Sequence, residues 1–250
     1  AALGRKELKT LVGHVDVALG DSEYNRRELE TLGFENTGVM PIIVDTKRIT
    51  DSPAEPVLEE TLSGDGLTNI LFVGRIAPNK KIEDIIKLAE HYKRYVDTDY
   101  RFIFVGRTDA VPRYYKTILA LIAEYQMPKD RFIFTGTVTD SELATYYHAS
   151  HAYISLSEHE GFCVPLVEAM SANLPILAFG STAVPETLGG AGICFSPKDL
   201  EYAAEMLGLL VYDDRVRSQV IVSQQSRVAD FGPARTDAVI DDLISVCSHQ

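Results

Sequence analysis

The stretch AYISLSEHEGFCVPLVEAM, Ala152 to Met170, decides how this chain is read. It opens on a short apolar run, Ala152–Leu156, with the character of a strand buried on both faces of a parallel sheet. A polar loop follows, and then an apolar helix begins. Pro165 suits the first turn of that helix, where no amide hydrogen is needed. Gly161 lets the backbone pass close to a ligand. The amides around Phe162, Cys163 and Val164, leading to Leu166, would face an anion at the positive end of the helix dipole. Glu168 lies about one turn inside, within a carboxylate's reach of hydroxyls flanking that anion. Glu160 sits just before the turn. Two carboxylates around one helix N-terminus suit a ligand with a diphosphate centre and hydroxyl-bearing groups on both sides. Helix capping alone accounts for Glu158 or Glu160. It does not account for the Gly-Phe and Pro spacing together with Glu168, because a carboxylate in an apolar helix start needs a partner.

Outward from this segment the same rhythm repeats. Strands are expected at Val15–Leu19, Ile70–Val73, Arg101–Val105, Arg131–Thr135, Ala152–Leu156, Pro175–Phe179 and Ile193–Phe195. Between them, Ile82, Ile85, Ile86, Ala89 and Tyr92 fall on one helix face, as do Ile118, Leu119, Ile122 and Tyr125. Thr139 and Glu142 have capping-box spacing. The fold class expected is α/β, a doubly wound, Rossmann-like parallel sheet, with ligands outside the carboxyl ends of its strands.

A second constellation precedes the first. A strand ends at Phe72-Val73-Gly74, Arg75 follows at once, and Lys80 comes five residues later, after Pro78-Asn79. Arginine can clamp two phosphate oxygens and lysine supplies a point charge. Taken alone, two solvated cations in a βα loop are the commoner outcome.

Composition sets the outer limits. The 250 residues are 46% hydrophobic and 24% charged, as in an ordinary globular chain. The net charge of −12 opposes nonspecific nucleic-acid binding, which needs a dense basic footprint, yet permits one tight anion site. Cys163, Cys194 and Cys247 are scattered and show no zinc spacing, which fits a reducing cytoplasm. No apolar run approaches the roughly 20 residues of a membrane span. Asp51–Gly66, with two prolines, two glycines and several acids, reads as an exposed linker. Before it, a strand, a helix from about Ser22 to Leu32 stopped by Gly33, and a short strand ending near Val44 are too little for a domain.

Arg75, Lys80 and the E-x7-E pair Glu160/Glu168 resemble family 4 of the retaining, GT-B glycosyltransferases. The resemblance extends over Gly180–Pro197, with Val184-Pro185-Glu186 and Gly189-Gly190-Ala191-Gly192, and over Asp16–Tyr24, which is similar to the end of that family's N-terminal domain. It implies a remnant of an acceptor domain over 1–50 and a linker over 51–67. It further implies a donor-binding domain over 68–233 and a C-terminal helix over 234–250 that would cross back. It implies catalytic roles for Arg75, Lys80 and Glu160: the cations hold the donor diphosphate as it leaves and Glu160 positions a donor-sugar hydroxyl. Glu168 would bind the ribose. The backbone of Gly74 and of Gly161, Phe162, Cys163, Val164, Pro165 and Leu166 would line the diphosphate and sugar. Gly106, Gly136 and Val138 would lie near the base.

The resemblance also implies a UDP- or GDP-linked sugar as donor, a glycan or glycolipid as acceptor, no bound metal and no other cofactor. It places the enzyme in the cytoplasm or at the inner membrane face, with any membrane contact made through a domain lying upstream. Cys163 and Lys81 stand where that family often has glycine. With so little of the acceptor domain present, the chain is expected to bind donor and transfer little. The alternatives are a GT-B nucleotide-sugar epimerase and a non-catalytic nucleotide-sugar-binding subunit. A dinucleotide dehydrogenase is disfavoured because no strand is followed by G-x-G-x-x-G. His148 and His151 read as structural or solvated, His159 as no metal ligand, and the pairs Tyr114-Tyr115 and Tyr146-Tyr147 as packing.

Overall fold

The computed structural model describes residues 2–40 and 42–232. The chain begins with helix α1 (Ala2–Lys9), strand β1 (Ala18–Gly20), helix α2 (Glu23–Leu32) and strand β2 (Thr37–Val39). Short helices α3 (Lys47–Thr50) and α4 (Pro56–Ser63) lead to β3 (Thr68–Val73), α5 (Ile82–Tyr95), β4 (Tyr100–Val105) and α6 (Pro112–Glu124). Then come β5 (Phe132–Gly136), α7 (Asp140–His148), β6 (Ala152–Ser155), α8 (Val164–Ser171), β7 (Ile176–Phe179), α9 (Val184–Leu188) and β8 (Ile193–Phe195). Helices α10 (Leu200–Tyr212) and α11 (Asp214–Val228) follow, and a 3-10 turn over Ala229–Phe231 comes last among the described elements.

Six strands form one sheet in the order β5-β4-β3-β6-β7-β8, and every neighbouring pair is parallel. The chain winds outward from β3 to β5, then returns by α7 to place β6 on the other side of β3. Successive crossovers therefore diverge between β3 and β6, and a crevice opens at their carboxyl ends. Along β3, Ile70 and Phe72 face one apolar layer with Ile82, Ile85, Ile86, Phe102, Phe104 and Leu207. Leu71 faces the other, with Ile103, Val105, Tyr147, Tyr153, Leu166 and Ile176. A strand covered on both faces has no polar positions to alternate, which is why these runs are uniformly apolar.

All seven expected strands are present with small shifts at their ends. The largest shift is at β1, which pairs with β2 from Ala18↔Thr37 onward and leaves Val15 exposed. The strand expected to end near Val44 is instead Thr37–Val39; Val44 is buried outside any strand, against Phe162, Val167 and Phe231. Helix α2 starts at N-cap Ser22 and stops at Gly33, whose φ is 106°. The expected face of α5 is buried, and the capping box of α7 is formed. On α6 only Ile118 and Ile122 are buried, while Leu119 and Tyr125 face solvent. This helix lies toward the β5 edge of the sheet, where one narrow stripe is enough to seat it.

Asp51–Gly66 is mostly exposed, as expected, but it is not without structure. Pro56–Ser63 is helical and Leu62 is buried. Buried Arg101 on β4 donates to the Leu62 carbonyl at 3.0 Å and pairs with Asp65 at 2.8 Å. Buried Asn69 on β3 donates to the same carbonyl at 2.9 Å. These anchors come from strands, so nothing local to 51–66 announces the helix. Ile49 of α3 is fully buried in the same apolar layer as Leu62. From Asp199 to the last described residue the chain is largely helical, as expected, with Asp199 and Asp213 capping α10 and α11. The helix expected over 234–250 lies outside the described residues.

Candidate functional site

Three strands end in glycine at the floor of the crevice. Gly74, Gly106 and Gly136 follow or close β3, β4 and β5 with φ of 155°, 142° and 73°. Gly74 N–H donates to the Val105 carbonyl at 2.8 Å and Gly106 N–H to the Gly136 carbonyl at 3.0 Å. A Cβ on Gly106 would lie 2.2 Å from the Gly74 carbonyl oxygen. Only glycine permits this backbone-on-backbone approach. Val138, further along, is half-buried and packs against the apolar layer containing Ile103 and Val105.

Arg75 leaves the end of β3 exposed, and among the described residues its guanidinium has no ion pair and no hydrogen bond. Pro78–Lys80 forms a 3-10 turn closed by Lys81, whose φ of 52° is left-handed. The turn brings Lys80 Nζ across the crevice to both carboxylate oxygens of Glu160, at 2.6 and 2.8 Å. Two of the three expected catalytic side chains are thus paired with each other, and both are largely buried.

Across the crevice the chain leaves β6, passes Ser157–Cys163 and enters α8. Cys163 is the N-cap, with φ 72° and ψ 63°. Both positions noted above as frequent glycines, Lys81 and Cys163, therefore hold left-handed backbone. A side chain there costs about 1–2 kcal/mol. Burial pushes the Cys163 thiol well up, so it stays protonated. The amides of Gly161, Phe162, Cys163 and Val164 donate to no protein acceptor among the described residues. Four consecutive free amides at a helix start form an anion cradle. Phe162 is held by an edge-on contact with Phe231, centroids 5.6 Å apart. Leu166 points into the core, so it offers the crevice only backbone.

Glu168 is buried. Its Oε2 accepts the Tyr147 hydroxyl at 2.8 Å, and Arg48 Nη2 of α3 lies 3.2 Å from its Oε1. Burial raises the pKa of this carboxyl, against the Tyr147 hydrogen bond and the Arg48 charge, which lower it. Each oxygen thus has one protein partner and keeps a lone pair for a hydroxyl. Tyr147 stacks on Tyr153, as a packing role requires, but also orients Glu168. That second role was missed, as was Arg48, which sits far upstream in a segment with no motif of its own. His148 and His151 are structural: each ring bonds a backbone group, the Ile49 carbonyl at 3.1 Å and the Asn69 amide at 3.0 Å. Tyr114 bridges the Ile82 amide and Glu83 at the start of α5.

The upstream segment lies over the mouth of the site. A Cβ on Gly161 would lie 2.9 Å from Asp21 Oδ2 and from Asn25 Nδ2. Glu186 of α9 accepts the amides of Glu23 at 2.8 Å and Tyr24 at 3.3 Å, capping α2 from the opposite side of the crevice. The structure thus gathers Gly74, Arg75, Lys80, Glu160, Gly161–Leu166 and Glu168 at the carboxyl ends of β3 and β6. Gly106 and Gly136 lie one and two strands away.

Comparison with known proteins places the fold and the family. The chain is 26% identical over 167 residues to the serotype-specific mannosyltransferase WbdA of Escherichia coli, 67% of this chain and 20% of that protein. It is 31% identical over 135 residues to a GDP-mannose-dependent alpha-mannosyltransferase of Mycobacterium tuberculosis, 54% of this chain and 31% of that one. It thus spans less than a third of either relative. Anabaena Alr3699/HepE, solved in complex with UDP and glucose, superposes with a TM-score of 0.82 at 17% identity, over 97% of this chain and 67% of that one. The sucrose-phosphate synthase of Thermosynechococcus elongatus superposes at 0.81 and 19% identity, over 100% of this chain and 62% of that one. The profile of glycosyl transferases group 1 matches residues 58–227, from within α4 to the end of α11, and the chain belongs to that family.

Proposed function

We propose that the protein transfers a sugar, with retention of configuration, from a UDP- or GDP-linked donor to a glycan or glycolipid acceptor, and that it needs no metal. The carrying observation is that positive groups gather at the ends of two neighbouring strands: Arg75, without a partner among the described residues, follows β3, and four free amides open α8 after β6. A diphosphate neutralised by these groups needs no divalent cation. Glu160 and Glu168 flank the cradle at the places of a sugar and a ribose. The mannosyltransferase relatives and the UDP-bound structural neighbour support a nucleotide-sugar donor.

When donor enters, Lys80 exchanges the Glu160 carboxylate for the diphosphate, and Glu160 takes a donor-sugar hydroxyl. As the glycosidic bond to the β-phosphate breaks, the sugar becomes oxocarbenium-like and charge grows on the leaving oxygen; the acceptor hydroxyl oxygen bonds to the anomeric carbon from that same face, and its proton passes to the departing β-phosphate oxygen. Arg75 and Lys80, aimed at that charge, favour the transition state over bound donor. The acceptor enters from the side of Asp21 and Asn25. The reaction belongs in the cytoplasm or at the inner membrane face, where nucleotide sugars are supplied. Among the described residues no helix is long and apolar enough to cross a membrane.

Calorimetry with UDP and GDP, with and without a chelator, tests the reading. Binding of one of them that survives chelation is expected. Binding lost on chelation would overturn metal independence, and no binding of either would overturn the donor site.

A further inference from the structure

The Glu160 loop is gripped from both sides by neighbouring strand-end loops. From the β3 side, the Asn79 carbonyl accepts the Glu158 amide at 2.9 Å, and Asn79 Nδ2 donates to the His159 carbonyl at 3.2 Å. From the β7 side, Ser181 Oγ donates to the Ser157 carbonyl at 2.6 Å. Glu160 itself is held by Thr182. One hydroxyl, Thr182 Oγ1, accepts the Glu160 amide at 2.9 Å and donates to the Glu160 carbonyl at 2.9 Å. Among the described residues no other group bonds to the Glu160 main chain.

The backbone of Thr182 is unusual. Its φ is 46°, in the left-handed region, where a β-branched side chain is a genuine outlier. Strain of this kind persists only where surrounding structure imposes it, and it concentrates at functional sites. Here it has a local result: the left-handed turn between β7 and α9 aims the hydroxyl at both polar groups of one residue on β6's loop. With its amide and carbonyl both tied, Glu160 cannot rotate its peptide planes, and its carboxylate stays within reach of Lys80 and of the space before the cradle.

We propose that Thr182 is a positioning residue for the donor sugar: it locks the Glu160 main chain so that the carboxylate meets one sugar hydroxyl in a fixed place. The inference rests on the reading of Glu160 as a sugar-binding group. It predicts that Thr182 acts on recognition of the sugar far more than on that of the nucleoside diphosphate: Tyr147 and Arg48 hold Glu168, Phe231 and the Thr187 hydroxyl hold Phe162, and of the cradle only the Gly161 amide shares a peptide plane with the Glu160 carbonyl.

The test is calorimetry on the wild type and on Thr182→Ala, Thr182→Val and Thr182→Ser. The probes are UDP with UDP-glucose and GDP with GDP-mannose, and the readout is the affinity of each nucleotide sugar relative to its nucleoside diphosphate. For the pair that the wild type binds, the alanine and valine variants should lower this ratio about tenfold, on the scale of one lost charged hydrogen bond. Nucleoside diphosphate affinity should stay within about threefold, which also shows that these variants are folded. Serine, which keeps the hydroxyl, should restore the ratio. An unchanged ratio in the alanine and valine variants would overturn the proposal. So would a parallel loss of both ligands, which would make Thr182 a support of the loop as a whole. Glu160→Gln separates the two levels. If it moves the ratio and Thr182→Ala does not, the positioning role fails and the donor site stands. If the wild type binds none of the four probes, the donor-site reading fails and this inference with it.

Discussion

Replacing Glu160 with glutamine should tighten the binding of a bare nucleoside diphosphate, although Glu160 belongs to the site. In the resting protein Lys80 Nζ lies 2.6 and 2.8 Å from the two Glu160 oxygens. The side chains are only 15% and 9% exposed, so solvent screens the pair weakly. A nucleoside diphosphate must draw Lys80 away and leave a buried carboxylate unpaired beside its own negative charge. A donor sugar offsets that cost by offering Glu160 a hydroxyl; a nucleoside diphosphate does not. Hydrogen bonds to charged groups contribute about 1.5–3 kcal/mol, and glutamine keeps a weaker one to Lys80. Relief of roughly half that energy, about 1.4 kcal/mol, corresponds to about tenfold tighter binding. The nucleotide sugar should gain less or lose, because its hydroxyl now meets a neutral amide. Calorimetry of wild type and Glu160→Gln with UDP, GDP and their sugars measures both changes. Weaker or unchanged nucleoside diphosphate binding in a folded variant would refute the exchange of Lys80 between Glu160 and the diphosphate.

Four further outcomes are expected. In an enzyme that carries its acceptor domain, Arg75→Ala should lower the turnover of sugar transfer roughly 10²–10³-fold, more than it lowers donor affinity; a rise in KM with turnover intact would make Arg75 a uniform binding residue. Glu168→Ala should weaken nucleoside diphosphate binding and spare inorganic pyrophosphate, and equal losses on both would remove the ribose assignment. Because the pKa of Glu168 is raised in the folded chain, the fold keeps a proton that the unfolded chain has already lost. Stability should therefore fall as pH rises from the ordinary carboxylate range through the raised value. Glu168→Gln should flatten that part of the melting-temperature profile, and an identical profile would show that Glu168 is not its source. Gly106→Ala, which puts a methyl group 2.2 Å from the Gly74 carbonyl, should destabilise by about 3 kcal/mol or more in chemical denaturation; a change under about 0.5 kcal/mol would mean that the strand ends yield easily.

The fold class is legible from residue order alone, because a parallel sheet covered on both faces needs uniformly apolar strands, and such runs are visible one at a time. So is the cradle. Gly161, Pro165 and Glu168 lie within one short segment, and a helix start is a local object. Arg75 and Lys80 were legible for the same reason, as the end of a strand and the turn after it. The partners that hold these groups emerge only when the chain is folded. Lys80 pairs with Glu160, Tyr147 and Arg48 hold Glu168, and Thr182 holds the Glu160 main chain. Each partner comes from a different strand-end loop or helix. The parallel sheet brings those loops together only through long crossovers, so no sequence spacing encodes their contacts. Helix α4 was hidden in the same way: its anchors, Asn69 and Arg101, stand on strands β3 and β4. Local periodicity records what a segment buries against the sheet, whereas the polar partners of buried charges are set by which loops the winding of the chain makes neighbours.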